Sequence, residues 1–298
     1  AMDFKALETF IWISRLGSFR AAAERLNTTQ PSISARIASL EQELGVKVFD
    51  RSGRKATLTR TGRDLLEYAD RLVSLRNEMI ATVVDPAAIQ GTITLGVVET
   101  IAHTWLPTLI ERLAQTFPAI SLELDIDISV NLRERLVNRE LDAAFLMGPI
   151  SQPEIVNLPL STYQLIWLAS PKSGLVGKTL TFDDLGRIPI ITFPHNSRPH
   201  IDLEALFHGT NVHPRIHSSS SLATIVRMAA NGIGICALPI EIVRRELESG
   251  ELHRLESDIR LPDLYFTASF LAGAGSILAQ AMCDLAVVVA SEADKTHK

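Results

Sequence analysis

The side chains best suited to recognising a partner through hydrogen bonds crowd into one short stretch, "NTTQPSISARIASLEQ". Gln30 carries a carboxamide that can pair through two bonds with adenine, and Arg36 a guanidinium that fits guanine or a phosphate; Ser32 and Ser34 place small hydroxyls between them. Pro31 removes a backbone donor at a point where a starting helix would not use it. No carboxylate occurs from residue 30 until Glu41. Acids there would be repelled by a polyanion, and bulk would hold the backbone away from it. A second basic group follows in "RSGRK", where Arg51, Arg54 and Lys55 surround a Ser-Gly turn and can touch a nucleic-acid backbone. Covalent chemistry is not indicated. No nucleophile elbow, phosphate-binding loop, HExxH or zinc-spaced Cys/His set is present. His200 and Asp202 stand two residues apart on a helix and so face different ways. No enzymatic activity, metal or cofactor is expected.

The elements that position these groups follow from spacing. Residues 2–16 read as a helix with Phe4, Leu7, Phe10, Ile11 and Ser14 on one side and Gly17 at its end. Ser18 caps a short helix in which Ala21, Ala22 and Ala23 permit a close crossing, and "NTT" makes the turn. In the next helix Ile33, Ile37, Leu40 and Leu44 share the arc that faces the core. Pro31, Ala35, Ala38, Ser39 and Gln42 take the opposite face, and Gly45 ends it. This is a helix-turn-helix with a reader helix that can enter a major groove. "VKVFDRSGRKATL" is then a small hairpin, or wing. Thr59 caps a long helix reaching residue 84, along which Leu65, Tyr68, Leu72, Leu75 and Met79 recur at steps of three and four, a seam for a homodimer. From Gly91 strands and helices alternate, which implies parallel sheets covered by helices, in two lobes.

Charge supports the division. Residues 1–60 hold ten Lys/Arg against six Asp/Glu, and the remainder nineteen against twenty-eight, so only the head suits a polyanion. With 46% hydrophobic and 21% charged residues the chain is of ordinary globular type. No run approaches the ~20 apolar residues of a membrane span, and no secretory leader is visible. Cys236 and Cys283 both stand in apolar surroundings and read as packing residues of a reducing compartment. A cytoplasmic protein is expected.

At this point the head resembles that of the LysR-type transcriptional regulators. The likeness runs through "FRAAAERLNTTQPSISARIASLEQELGVKVFDR" and "LTRTGRDLL", and continues through "GTITLGVVETIAHTWLPTL", "RELDAAF" and "NGIGICALP". This chain has Ala35 and then Arg36 where many members carry Arg directly after the serine. The resemblance implies an α/β fold with an N-terminal winged helix-turn-helix (residues 1–59), a linker and dimerisation helix (60–89) and a periplasmic-binding-protein-like effector domain (90–298). Its lobes would comprise residues 90–161 with 266–298, and residues 162–265. It implies an effector-responsive regulator that binds an inverted-repeat operator in double-stranded DNA as a homodimer or homotetramer and acts on RNA polymerase. The alternative is a solute-binding protein with no enzymatic activity.

The body supplies a candidate ligand site. Thr100 opens a helix directly after a strand, where free N–H groups favour a polar or anionic ligand. Ser129 stands at the end of the next strand, and "TFPHNSRPH" offers Thr192, His195, Asn196 and Ser197 after a strand of the second lobe. By resemblance Thr100, Ser129 and residues 193–197, beginning with Phe193, correspond to effector-contacting positions. Met147 stands where some members that respond to aromatic acids place an Arg. Glu99 would repel an anion if it pointed inward, leaving His103, His195, Arg198 and His200 to supply positive charge. A small organic acid is the expected effector.

Overall fold

The computed structural model describes residues 3–50, 55–83, 89–152, 154–272 and 276–296, which divide into two compact units. In the first unit α1 (Phe4–Leu16), α2 (Phe19–Arg25) and α3 (Gln30–Leu44) enclose one core with Phe10, Ile11, Ile13, Ile33 and Ile37 at its centre. A two-stranded hairpin, β1 (Phe49–Asp50) and β2 (Thr57–Leu58), closes it and leads into α4 (Arg60–Val83).

The second unit holds two five-stranded sheets. The first carries β3 (Gly91–Val97), β4 (Ile120–Ile126), β5 (Ala143–Met147), β6 (Ile155–Tyr163) and β12 (Leu264–Leu271), in the order β4-β3-β5-β12-β6. The second carries β7 (Leu165–Ala169), β8 (Ile190–Thr192), β9 (Ile216–Ser218), β10 (Ile235–Pro239) and β11 (His253–Arg254), in the order β11-β7-β10-β8-β9. Helices α5 (Glu99–Ala102), α6 (Leu106–Thr116), α7 (Ser129–Val137) and α12 (Ile277–Thr296) accompany the first sheet. The stretch of chain that forms the second sheet includes α8 (Phe182–Arg187), α9 (Arg198–Ala205), α10 (Leu222–Ala230) and α11 (Arg244–Glu248). The chain passes from one sheet to the other between β6 and β7 and returns between β11 and β12, so two connections link the lobes. Among the described residues no helix is long and apolar enough to cross a membrane.

Three expectations need correction. The sheets are mixed, because β12 runs antiparallel to both β5 and β6, and β7 antiparallel to β10. β6 and β12 lie outside the alternation read from the sequence; Pro159 obscures β6, and a sheet tolerates proline there because β6 is an edge strand. The helix that Thr100 was expected to open stops after one turn and is broken at residues 103–105. Pro107 begins α6 afresh, and Trp105 turns inward to bond Ser161 Oγ at 3.1 Å. Gly234 of "NGIGICALP" serves close packing: a Cβ there would lie 2.3 Å from the Pro189 carbonyl oxygen.

Candidate nucleic-acid interface and interlobe cleft

Local signals fix the reader helix. Ser18 Oγ accepts the Ala21 N–H at 3.3 Å and caps α2, while Ala22 and Ala23, fully buried, let α2 approach its neighbours. Asn27, with φ 47°, turns the chain into Thr29, whose Oγ1 accepts the Ser32 N–H at 3.4 Å. Ile33, Ile37 and Leu40 are buried, so Gln30, Pro31, Ala35, Ala38, Ser39 and Gln42 form an exposed ridge without a charge. Ser32 and Ser34 are half-buried on its flanks. Arg36, also half-buried, lies back across the domain, its Nη1 3.4 Å from Thr9 Oγ1.

Leu44 departs from expectation: it is 37% exposed. The hairpin residues Val48 and Phe49 fill the interior in its place, and Glu41 takes the buried position on the last turn of α3. Glu41 is 3% exposed; its Oε1 accepts the Val48 N–H at 3.0 Å and its Oε2 meets Lys47 Nζ at 2.7 Å. Burial alone would push this carboxyl up, but the hydrogen bonds from Lys47 and the backbone of Val48 and Phe49 outweigh it and hold the pKa below the usual range. Glu41 therefore pins the hairpin to the reader helix. Lys55 is exposed on that hairpin; Arg51 and Arg54 lie outside the described residues.

Thr59 caps α4 as expected, its Oγ1 accepting the Gly62 N–H at 3.0 Å and donating to the Lys47 carbonyl at 2.7 Å. Helix α4 carries two apolar stripes. Ala69 and Val73 are buried in the head core, with Leu65 and Leu66 packed against it. On another face Tyr68 is 61% and Leu75 62% exposed, and Leu72 and Met79 join them. Leu65 thus serves the head rather than the outward stripe.

In the second unit the candidate ligand residues gather where strands β3, β5 and β8 end, around a cavity of about 880 Å³ lined from both lobes. Glu99, Thr100, Ser129, Met147, Phe193, Asn196 and Ser197 all line it. Thr100 is buried in the first turn of α5 and caps nothing; Val98 holds the cap position. Ser129 begins α7 rather than ending a strand, and its Oγ accepts the Met147 N–H at 2.9 Å, which locks that helix start to the end of β5. Thr192 and His195 are not among the lining residues. Thr192 is buried in the sheet, where its carbonyl accepts the Ser219 N–H, and the His195 ring turns toward His200.

Charge in the cleft is distributed differently from expectation. Glu99 Oε2 accepts the Leu222 N–H at the start of α10 at 2.7 Å, and its other oxygen lies 3.4 Å from His103 Nε2. Its charge is thus spent on a bond between the lobes. Arg198 lines the cavity but is held by Asp202 at 2.8 Å, and neither His103 nor His200 lines it. The sequence reading missed Arg133, which lines the cavity and has no ion-pair partner among the described residues. It stands four residues after Ser129 on α7, on the same helix face, and that spacing was available in the sequence.

Comparison with known proteins decides the identity of this arrangement. Residues 4–63 match the bacterial regulatory helix-turn-helix protein, lysR family, and residues 86–287 match the LysR substrate binding domain. The chain belongs to the LysR-type transcriptional regulators. The transcriptional regulator CzcR of Bacillus anthracis is 28% identical over 253 residues, which covers 85% of each chain. Full-length LysG from Corynebacterium glutamicum, solved with bound effector Arg, superposes with a TM-score of 0.62 at 21% identity, covering 98% of this chain and 99% of that one. Full-length CbnR complexed with its target DNA does so with a TM-score of 0.52 at 22% identity, covering 97% and 100%. At these identities the solved structures show the shared fold.

As a LysR-type protein the chain is a DNA-binding regulator of transcription with an effector-binding domain, and not an enzyme. The alternative of a solute-binding protein falls with the matched head. Both cysteines of this LysR-type chain are buried. Burial pushes the Cys236 thiol up to about 12 and that of Cys283 higher still, so neither offers a thiolate near neutral pH.

Proposed function

We propose that this regulator binds an inverted-repeat operator as a homodimer or dimer of dimers, and that a small organic acid entering the cleft changes promoter geometry and the access of RNA polymerase. The observation that carries the reading is the ridge of α3: its apolar arc is buried and its outward face is small and free of acids. Gln30, Pro31, Ser32 and Ser34 would meet base edges and nearby phosphates; Arg36, once released from Thr9, and the wing residues Arg51, Arg54 and Lys55 would bind the backbone. The stripe of Tyr68, Leu72, Leu75 and Met79 supports pairing of two linker helices, since long exposed apolar stripes mark contact surfaces. In the cleft, Thr100, Ser129 and Ser197 offer hydroxyls, Asn196 an amide, and Phe193 and Met147 apolar surface. Arg133 offers the cation that an acid requires. The effector acts only by binding one arrangement of the lobes better than the other. Such a regulator works where the chromosome lies, in the cytoplasm.

A footprint over the DNA flanking its own gene tests this. Two protected half-sites separated by about one helical turn or a multiple of it are expected, with boundaries that shift on effector addition. Uniform protection without half-sites would contradict the operator reading.

A further inference from the structure

Three side chains outside the cleft converge at the start of α9. His195 Nδ1 lies 2.8 Å from His200 Nε2, and that same Nε2 lies 3.4 Å from Glu204 Oε1. The ligand atoms of all three fall within 4.8 Å of one another. His200 is 3% exposed, and its far nitrogen, Nδ1, sits 3.0 Å from the Phe193 carbonyl oxygen. A carbonyl only accepts, so Nδ1 donates to it, and Nε2 is the atom that His200 turns toward His195 and Glu204. His195 Nδ1 and a Glu204 oxygen thus both approach the one nitrogen Nε2 of His200, which is already held from its far side.

A cation at the meeting point satisfies all three groups. An imidazole held by a carbonyl through its far N–H is also how metal-binding histidines are oriented. We propose that His195, His200 and Glu204 bind a divalent first-row transition ion of the zinc class, with one coordination position open. The two-nitrogen, one-oxygen donor set suits that class rather than magnesium or calcium. Tetrahedral zinc holds its ligands at about 2.0–2.1 Å and therefore about 3.3–3.4 Å from one another. The exposed His195 would draw back from the 2.8 Å that separates its Nδ1 from His200 Nε2 to meet that geometry. Arg198 does not compete for the carboxylate, being paired with Asp202 at 2.8 Å.

The ion would fasten the turn after β8 to α9, since His195 lies on the turn and His200 and Glu204 lie one helical turn apart on α9. That turn also carries Phe193, Pro194, Asn196 and Ser197, which line the cleft. The site itself rests on the three side chains and does not depend on the effector reading.

The test is titration of the tag-free full-length protein with Zn²⁺ by calorimetry and with Co²⁺ by visible absorption. One tightly bound ion per chain is expected, with the absorption bands of tetrahedral cobalt. His195→Ala should weaken binding at least about tenfold, and Glu204→Gln should weaken it as well. His195 is exposed, so its loss leaves the fold intact where loss of buried His200 would not. Absence of Zn²⁺ binding, or equal binding by the His195→Ala chain, would overturn the proposal and leave the two rings sharing only a proton.

Discussion

Glu99 provides a quantitative handle on the two lobes. Its carboxylate reaches from the first residue of α5 to the N–H of Leu222, the first residue of α10, at 2.7 Å. That N–H is one of the unpaired donors of a helix start, where a negative charge is favoured. A hydrogen bond to a charged group contributes about 1.5–3 kcal/mol. The Glu99 side chain is 23% exposed, which places the bond at the lower end. About 1.5 kcal/mol corresponds to roughly a twelvefold change in the ratio of bonded to separated lobes. A population nine-tenths bonded would fall to roughly four-tenths in Glu99→Ala. Glu99→Gln keeps an acceptor oxygen and loses the charge, so about half the effect, roughly three- to fourfold, is expected. Spin labels on exposed Ser121 and Glu248, one on each lobe, would read the distance distribution. A broader, longer distribution in Glu99→Ala with Glu99→Gln between it and the native chain is the expected order. An unchanged distribution in Glu99→Ala would refute the role of this bond.

Glu41→Ala should destabilise the head by about 1–3 kcal/mol, because the Val48 N–H is left buried without an acceptor; thermal unfolding followed by circular dichroism measures it. The Glu41 carboxyl is depressed in the fold, so its contribution is complete above the ordinary glutamate range and is lost as pH falls through the lower folded value. The native head should therefore lose stability at acid pH in a way the alanine variant does not. Leu75→Asp, at a 62% exposed position, should convert dimers to monomers in sedimentation while leaving the helical signal unchanged. Thr100→Val should abolish effector-induced thermal stabilisation without altering DNA affinity; retained stabilisation would remove Thr100 from the site.

The head was legible because its signals are local. Ser18 and Thr29 cap the starts of α2 and α3 and Gly45 ends α3, each a signal within its own turn of chain, and Ile33 and Ile37 repeat at helical spacing. Leu44 was misplaced and the burial of Glu41 went unread, because both depend on the hairpin folding back, which no helical period records. Glu41, four residues after Ile37, did lie within the apolar arc. In the body, strand direction depends on pairings over long separations, such as β5 with β12, and so the mixed sheets were not readable. The strand-end rule placed Thr100, Ser129 and residues 193–197 near one cleft. It could not orient the His195 ring, which answers to His200 rather than to the cavity.

The central claim, that the α3 ridge reads base sequence, is tested most directly by the ratio of operator to nonspecific affinity in Gln30→Ala at fixed salt. Loss of a two-pronged contact to one base predicts an operator affinity lower by about 1–3 kcal/mol, roughly fivefold to 150-fold, with nonspecific binding unchanged. An equal loss on both DNAs, or none on either, would contradict the claim.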